Sequence, residues 1–305
     1  MEKSNLKLVY LAALTYATII GLSFMFVKIA LRSANPLDIL AFRFSASFLA
    51  VIIAILFGWA KLNYSGDRLK KILPLAVLYP LLFFAFQTFG LQYADSSEAG
   101  IIQASAPIFT LILATYILQE RSNIWQKFSI LLTVFGVVYI IIMKGAFFNI
   151  TSISDFKGII FILLSALAFS GYSVMVRPLT KEFSSIELAF MMVIISFIGF
   201  NLIAIGQHLW AGTISTFFSP LVNMEFLIAI LYLGVLSSLI TAVLTNYVLA
   251  NLEASKMVVF ANLGTVITII AGVVFLKEQI FYYHIIGCIL IIGGVLGTNF
   301  LGDKG

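Results

Sequence analysis

Ten apolar runs, each close to the roughly 20 residues a helix needs to cross a bilayer, follow one another along the chain with short connections. They extend approximately over 8–30, 37–58, 72–93, 99–118, 124–143, 157–179, 186–208, 226–249, 256–276 and 282–301. A bilayer core holds no water to satisfy a free amide, so only helices and closed barrels span it. The runs lack the short alternation of barrel strands. The chain is also 62% hydrophobic and only 10% charged, far from the composition of a soluble domain. The expected fold class is an all-α integral membrane protein with ten transmembrane helices. The longer connections, Trp59 to Lys71, Lys144 to Phe156 and Trp210 to Met224, leave no room for a soluble domain, so 1–305 reads as a single membrane domain. After Met1-Glu-Lys the first run continues to about Ala30, too long for a signal-peptide core, and is read as a spanning helix.

The net charge of +5 does not point to nucleic acid, because the basic residues are scattered between apolar runs rather than gathered on one face. Their distribution reports orientation instead. Alternate loops hold Lys3, Lys7, Lys61, Arg68, Lys70, Lys71, Arg121, Lys127, Arg177, Lys181, Lys256 and Lys304 on one side, against Lys28, Arg32, Lys144, Lys157 and Lys277 on the other. The positive-inside rule then predicts an N-in/C-in protein of the cytoplasmic membrane. Cys288 stands alone, so no intramolecular disulfide forms, and it reads as a small packing residue.

The second half of the chain repeats the first, a feature that decides a fold more than any local pattern. At a shift of 158 residues, Leu73-Pro-Leu-Ala-Val-Leu78 meets Leu231-Tyr-Leu-Gly-Val-Leu236, Ser97 meets Ser255, Thr110 meets Thr268, Glu120 meets Glu278, and Gly136-Val137 meets Gly294-Val295. Upstream, at a shift of 149, Lys28 pairs with Arg177, Asp38 with Glu187 and Ser47-Phe48 with Ser196-Phe197. Each half, 1–150 (helices one to five) and 151–305 (helices six to ten), holds an odd number of helices. The second half must therefore enter the membrane upside down. Inverted repeats of this kind recur in secondary transporters, with the site near the midplane.

Ser97-Glu-Ala, Ala106-Pro107, Glu120 and Gly136-Val137, with their matches Ser255, Thr268, Glu278 and Gly294-Val295, resemble the drug/metabolite transporter superfamily, and within it the ten-helix EamA-type exporters, including exporters of aromatic amino acids. The resemblance implies a central cavity bounded by helices one, three and four and their copies six, eight and nine. The proline this family often carries in helix nine is here Thr265, opposite Pro107, so symmetric kinks in helices four and nine are not expected.

Residue spacing can be read beside that resemblance. Tyr79, Phe83 and Gln87, four apart, share a face of helix three, and their partners Ser237, Thr241 and Thr245 do so on helix eight. Helix one offers Tyr16 and Ser23; helix six offers Ser165 and Tyr172 with Phe169 between. Helix four places Gln103, Pro107 and Thr110 at helical spacing, and helix nine answers with Asn262, Thr265 and Thr268. Buried amides need partners, so Gln87, Gln103, Asn246 and Asn262 are expected to face protein or a wet cavity. Singly, a Ser or Thr here reads as interhelical glue; taken together, the stripes read as a cavity. The candidate substrate-binding set is Tyr16, Ser23, Tyr79, Phe83, Gln87, Gln103, Ser165, Tyr172, Thr241, Thr245, Asn246 and Asn262. Pro107, Glu120 and Glu278 are the gating or structural candidates, and Glu98 reads as a residue of the mouth.

Arg43, on a helix expected to be peripheral, is read as reaching a headgroup or pairing with Asp38. Lys28 and Arg177 read as interfacial anchors. Gly293 and Gly297 form a GxxxG that allows close helix approach, inside the monomer or at a dimer face.

Enzyme classes find no support: there is no HExxH, GxSxG or GxxxxGK[ST], and His208 and His284 lie near helix ends. No metal and no cofactor are expected. The partners are a small-molecule substrate and the lipid bilayer, with a monomer or weak homo-oligomer as the assembly. An uncharged aromatic pocket with amides and hydroxyls suits amino acids and related metabolites exported across the membrane. Drug efflux by proton antiport and nucleotide-sugar or phosphate exchange are the rivals. A drug pump would call for a carboxylate at midplane, and a phosphate carrier for a Lys or Arg there.

Overall fold

Proline and π-helical stretches decide where the helices of this chain bend. The computed structural model describes residues 3–58, 66–117, 124–148, 156–251 and 254–300, which form helices and turns without a strand. In chain order the α-helices are α1 Lys3–Ala30, α2 Pro36–Leu56, α3 Gly66–Ala76, α4 Phe83–Tyr93, α5 Ser96–Gln103, α6 Ala106–Ile117, α7 Ile124–Phe148, α8 Lys157–Leu179, α9 Ser185–Ala211, α10 Met224–Leu231, α11 Thr241–Asn251, α12 Ala254–Leu276 and α13 Tyr282–Phe300. Among the described residues, eight helical stretches are long and apolar enough to cross a membrane, joined by two shorter apolar helices, Leu263–Leu276 and Tyr282–Gly294.

Local chemistry explains the ends. Asn35 accepts from the amides of Leu37 and Asp38, and Pro36 supplies the preset φ of a first helical turn. Ser184 and Glu187 form a capping box at the start of α9, which ends on Gly212 at φ 68.

The interruptions are equally specific. Between α3 and α4 the chain forms a π-helical stretch, Val77–Leu82, which holds Pro80, and Tyr79 leaves helical geometry altogether at φ −142, ψ 120. A second π stretch, Tyr232–Ile240, separates α10 from α11; its residues 235–240 stand 158 positions after the first. Pro80 lacks an amide donor, which explains the first break. Helix α5 gives way to α6 at Ala104 and Ser105, just before Pro107, whereas α12 runs through Thr265 unbroken. The asymmetry expected from Thr265 is present.

Long hydrophobic side chains left outside the core, such as Phe128, Leu131, Phe135 and Leu202, form the kind of apolar outer face that needs lipid around it. Inside, repeat-related positions meet. Phe48 of α2 stacks on Phe197 of α9 with centroids 4.2 Å apart and planes 7° apart. Where α7 packs on α13, a Cβ at Gly136 would lie 2.9 Å from Ile291 and 3.0 Å from the Gly287 carbonyl, and one at Gly294 would collide with Thr133 and the Ser129 carbonyl. Thr133 and Ser129 stand 158 positions before Ile291 and Gly287, so the contact is reciprocal in sequence position.

Gly297 also faces this interface, against Ser129, but Gly293 faces nothing within 4 Å. The close approach is thus intramolecular and uses Gly287, Gly294 and Gly297; Gly293 is not part of it. Substituting Gly294→Val should overpack the α7–α13 contact and lower stability by about 1–3 kcal/mol. Gly293→Val should leave the melting temperature in detergent unchanged within error; equal losses for both would contradict this packing.

Candidate functional site

A cavity lies between α1, α4, α5, α6, α8, α11 and α12, the kind of cleft between packed helices in which small-molecule sites occur. Tyr16, Ile20 and Phe24 of α1 face Phe83 and Gln87 of α4, Phe169 and Ser173 of α8, Leu249 of α11, and Gly264, Thr265 and Thr268 of α12. Gly100, Gln103, Ala104, Ala106, Pro107 and Thr110 complete the wall. No lining residue carries a formal charge.

Helix packing is tight beside Gly100, Gly264 and Thr268 of its wall. A Cβ at Gly21 would come within 2.6 Å of the Gly264 carbonyl, and one at Gly100 within 2.7 Å of Thr268 Cγ2. The freed space is used by hydrogen bonds: Thr268 Oγ1 donates to the carbonyls of Gly21 at 2.8 Å and Gly264 at 3.0 Å, and Thr265 Oγ1 to that of Gly100 at 3.3 Å. Beyond the bend before Pro107 the wall diverges. Helix α5 packs on α12 while α6 packs on α8, where Ser170 Oγ takes the Ala106 carbonyl at 2.7 Å. The cavity runs down this divergence toward Thr110, Ser173 and Leu249.

Two carboxamides stand out in the lining. Gln87 has no exposed surface, yet neither its Nε2 nor its Oε1 has a partner among the described residues, and Gln103 Oε1 is likewise unmatched. A buried amide left without partners costs about 1–3 kcal/mol, a cost that a hydrogen-bonding ligand removes.

Of the candidates chosen from sequence, Tyr16, Phe83, Gln87, Gln103 and Pro107 line the cavity. Tyr79 and Tyr172 do not; they stand behind Phe83 and Phe169 as a second aromatic layer, with centroids of 5.2 Å for Tyr79–Phe83 and 4.8 Å for Tyr79–Tyr172. The stripe of Tyr79, Phe83 and Gln87 fails as a single face because the helix is broken at Tyr79. Tyr172 donates to Asn246 Oδ1, and Asn246 Nδ2 to the Ser185 carbonyl, so this amide is matched within the protein. Ser23 and Thr241 bond back to the carbonyls of Ile20 and Ser237. Ser165 and Thr245 are buried with unmatched hydroxyls away from the lining. The side chain of Asn262 and the whole of Glu120 lie outside the described residues. Phe24, Ser173, Gly264 and Leu249 were not anticipated; on an apolar helix one Phe or Leu looks like any other.

Glu278, in the turn between α12 and α13, ties that turn to the start of α5. Its Oε1 accepts from Ser96 N at 2.8 Å and Ser96 Oγ at 2.7 Å, and its Oε2 from Ser97 N at 2.9 Å and Ser97 Oγ at 2.5 Å. A carboxylate thus occupies the N-terminus of α5, where the helix dipole favours it. A Cβ at Gly272 would collide with both Glu278 Oε2 and Ser97 Oγ. The neighbouring links are Lys144 to Glu98 at 2.7 Å and Lys28 Nζ to the carbonyls of Leu91 at 3.2 Å and Ala94 at 2.9 Å. Glu98, read as a mouth residue, is almost fully buried in this pair. Lys28 caps a helix end; the Arg177 side chain lies outside the described residues.

Arg43 departs from expectation. It has no exposed surface and bonds Ser238 and Ser237 across α2 and the second π stretch, reaching neither headgroup nor Asp38. Asp38 is held instead by His208 Nε2 at 3.0 Å and Asn35 Nδ2 at 2.8 Å. One residue every 100° carries Arg43 to the far side of α2 from Asp38, five positions away.

A family model described as the EamA-like transporter family matches residues 7–142 and again 156–300. The chain belongs to the EamA-like transporter family. A Bacillus subtilis (strain 168) protein described as an uncharacterized transporter, YcxC, is 49% identical over 97% of this chain and 94% of its own. The S-adenosylmethionine uptake transporter of Rickettsia prowazekii (strain Madrid E) is 26% identical over 53% of this chain and 52% of its own. A solved crystal structure superimposes with a TM-score of 0.66 over 98% of both chains at 17% identity, a likeness of fold alone. Within the EamA family these relatives point to a multi-pass membrane transporter rather than an enzyme.

The latch of this EamA protein is titratable. Burial would raise the Glu278 carboxyl, but the side-chain and backbone hydrogen bonds from Ser97 and Ser96 outweigh it and hold the group below the usual carboxylate range. A depressed folded-state value means that the latch contributes its full stability above the ordinary carboxylate range and loses it as pH falls through the lowered value. Melting of the wild type should therefore fall on acidification in part through Glu278, and Glu278→Gln should be less stable at pH 7 with a flatter acid limb. Identical pH profiles would contradict the latch.

Proposed function

We propose that the protein is a secondary transporter that exports small amphipathic metabolites, amino acids first among them, across the cytoplasmic membrane by alternating access. The observation that carries this reading is the uncharged aromatic cavity with its unmatched carboxamides. An α-amino acid head offers an acceptor carboxylate and a donor ammonium side by side; Gln87 presents a donor Nε2 and an acceptor Oε1, and Gln103 a further acceptor. The apolar part of the solute finds Phe24, Phe83 and Phe169. The Rickettsia relative is named for a solute, S-adenosylmethionine, that joins such a head to an aromatic ring system.

In this reading ten helices span the membrane as two inverted five-helix repeats, 1–150 and 151–305. The twofold family match, the Phe48–Phe197 stack and the reciprocal glycine contacts of α7 and α13 support it. The latched end carries the few basic residues, Lys28, Arg32, Lys144, Lys157 and Lys277, so the positive-inside rule makes it the outer end and the cavity faces the cytoplasm. In the alternate state the repeat-related pair Glu120 and Ser255 would latch the inner end while Glu278 releases Ser96 and Ser97.

Purified protein in liposomes should take up radiolabelled amino acids with large apolar side chains saturably. Gln87→Ala should weaken transport about tenfold, the loss of one or two hydrogen bonds to charged groups, without lowering the melting temperature. Unchanged uptake in Gln87→Ala, or no uptake of any amino acid by the wild type, would sink the assignment.

A further inference from the structure

The cavity does not account for Arg43. Its Nε donates to Ser238 Oγ at 2.6 Å, and its Nη2 to Ser237 Oγ at 2.9 Å and to the Ser237 carbonyl at 3.4 Å. The ring centroid of Phe84 lies 3.7 Å from Cζ. Its Nη1 has no acceptor among the described residues. The ion pairs described join other groups: Asp38 with His208, Glu98 with Lys144, Glu187 with Arg68, Glu182 with Lys71. No described carboxylate balances this guanidinium. A cation in a spanning segment is expensive to keep, and such residues mark the paths of ions and ligands.

Its surroundings point the same way. Arg43 bonds the π segment Tyr232–Ile240 through Ser237 and Ser238, and Phe84, against whose ring it lies, is 5.4 Å from Tyr79, where the first stretch leaves helical geometry. Irregular backbone at membrane depth survives only inside protein or along a cavity, and interrupted helices are where transporters bind solutes. The hydroxyls of Ser237 and Ser238 are already gathered at the guanidinium. Two rings separate this cluster from the cavity: Phe84, beneath Arg43, lies 4.7 Å from Phe83, which lines the cavity wall.

We propose that Arg43 is an anion-binding residue of the transport path: when the π segment moves off α2, its Nη1 and Nη2 take the substrate's carboxylate as a fork. The proposal rests on the transporter reading above and adds a requirement to it. The transported solute must carry an oxyanion, and the amide analogue of a good substrate must be a poor one. The guanidinium then discriminates, while Gln87 and Gln103 hold the solute at rest.

Two measurements on the full chain test it. In detergent, phenylacetate should raise the melting temperature of the wild type and phenylacetamide should not. Arg43→Gln should abolish that difference, and Arg43→Lys, which keeps charge without the fork, should retain part of it. Arg43→Gln gives up the bonds to Ser237 and Ser238 but orphans no carboxylate; if it does not fold, Arg43→Lys decides, since a weakened acid–amide difference supports the site and an undiminished one overturns it. In liposomes, the wild type should take up phenylalanine about tenfold faster than phenylalaninamide, and Arg43→Gln should bring the two within about twofold. Equal stabilisation by acid and amide in the wild type, or an undiminished preference in Arg43→Gln, overturns the proposal. Carboxylate-specific stabilisation without amino acid uptake would retain the Arg43 site and remove the amino acid reading. Amino acid uptake with no acid–amide difference would do the reverse.

Discussion

Four hydrogen bonds from the start of α5 to the Glu278 carboxylate hold the rest of the arrangement in place. They join α5 to the turn after α12, and so bring Gly100 against Thr268 and Gly264 against Gly21. That contact packs α1, α5 and α12 closely along one part of the cavity wall. Because α5 is fixed there, the bend before Pro107 can send α6 toward α8, and the space between α6 and α12 becomes the cavity. A carboxylate outside the apolar core thus determines the shape of a site some turns away. The interaction suits a switch, since it is strong while the group is ionised and is broken by one proton.

The backbone irregularities follow a second constraint. In a bilayer a helix can lose its hydrogen-bond register only where neighbours satisfy the freed groups. Here they do: Ser47 donates to the Gly234 carbonyl at 2.6 Å and Arg43 to that of Ser237, both within the second π stretch. Side chains of α2 thus staple the segment in its present register. Helix α2, which the family resemblance implies is peripheral, is in this respect part of the packed core.

The helical class, the membrane setting and the repeat were legible in the sequence because each rests on many residues acting together. The apolar runs are long, and the repeat carries Glu, Gly and Ser at matched places. About half of the candidate cavity was legible too, where helices are regular: Gln87 follows Phe83 and Tyr16 sits alone among small residues. Tyr79 was misplaced because the periodicity argument assumes an unbroken helix, and Pro80 ends that assumption one residue away. Arg43 was misread for another reason. Its partners Ser237 and Ser238 lie nearly two hundred positions further along the chain, and no spacing rule reaches that far. Asp38, five residues away, looked nearer only along the chain.

The account's central claim is that a solute cavity sealed by Glu278 at the outer end opens toward the cytoplasm. Labelling tests it most directly. With Cys288 replaced by Ser, a cysteine at Thr110 should react with a membrane-impermeant thiol reagent in inside-out vesicles, be protected there by a transported amino acid, and stay unlabelled in right-side-out vesicles. Reaction from the outside alone, or equal reaction from both sides with no protection, would contradict it.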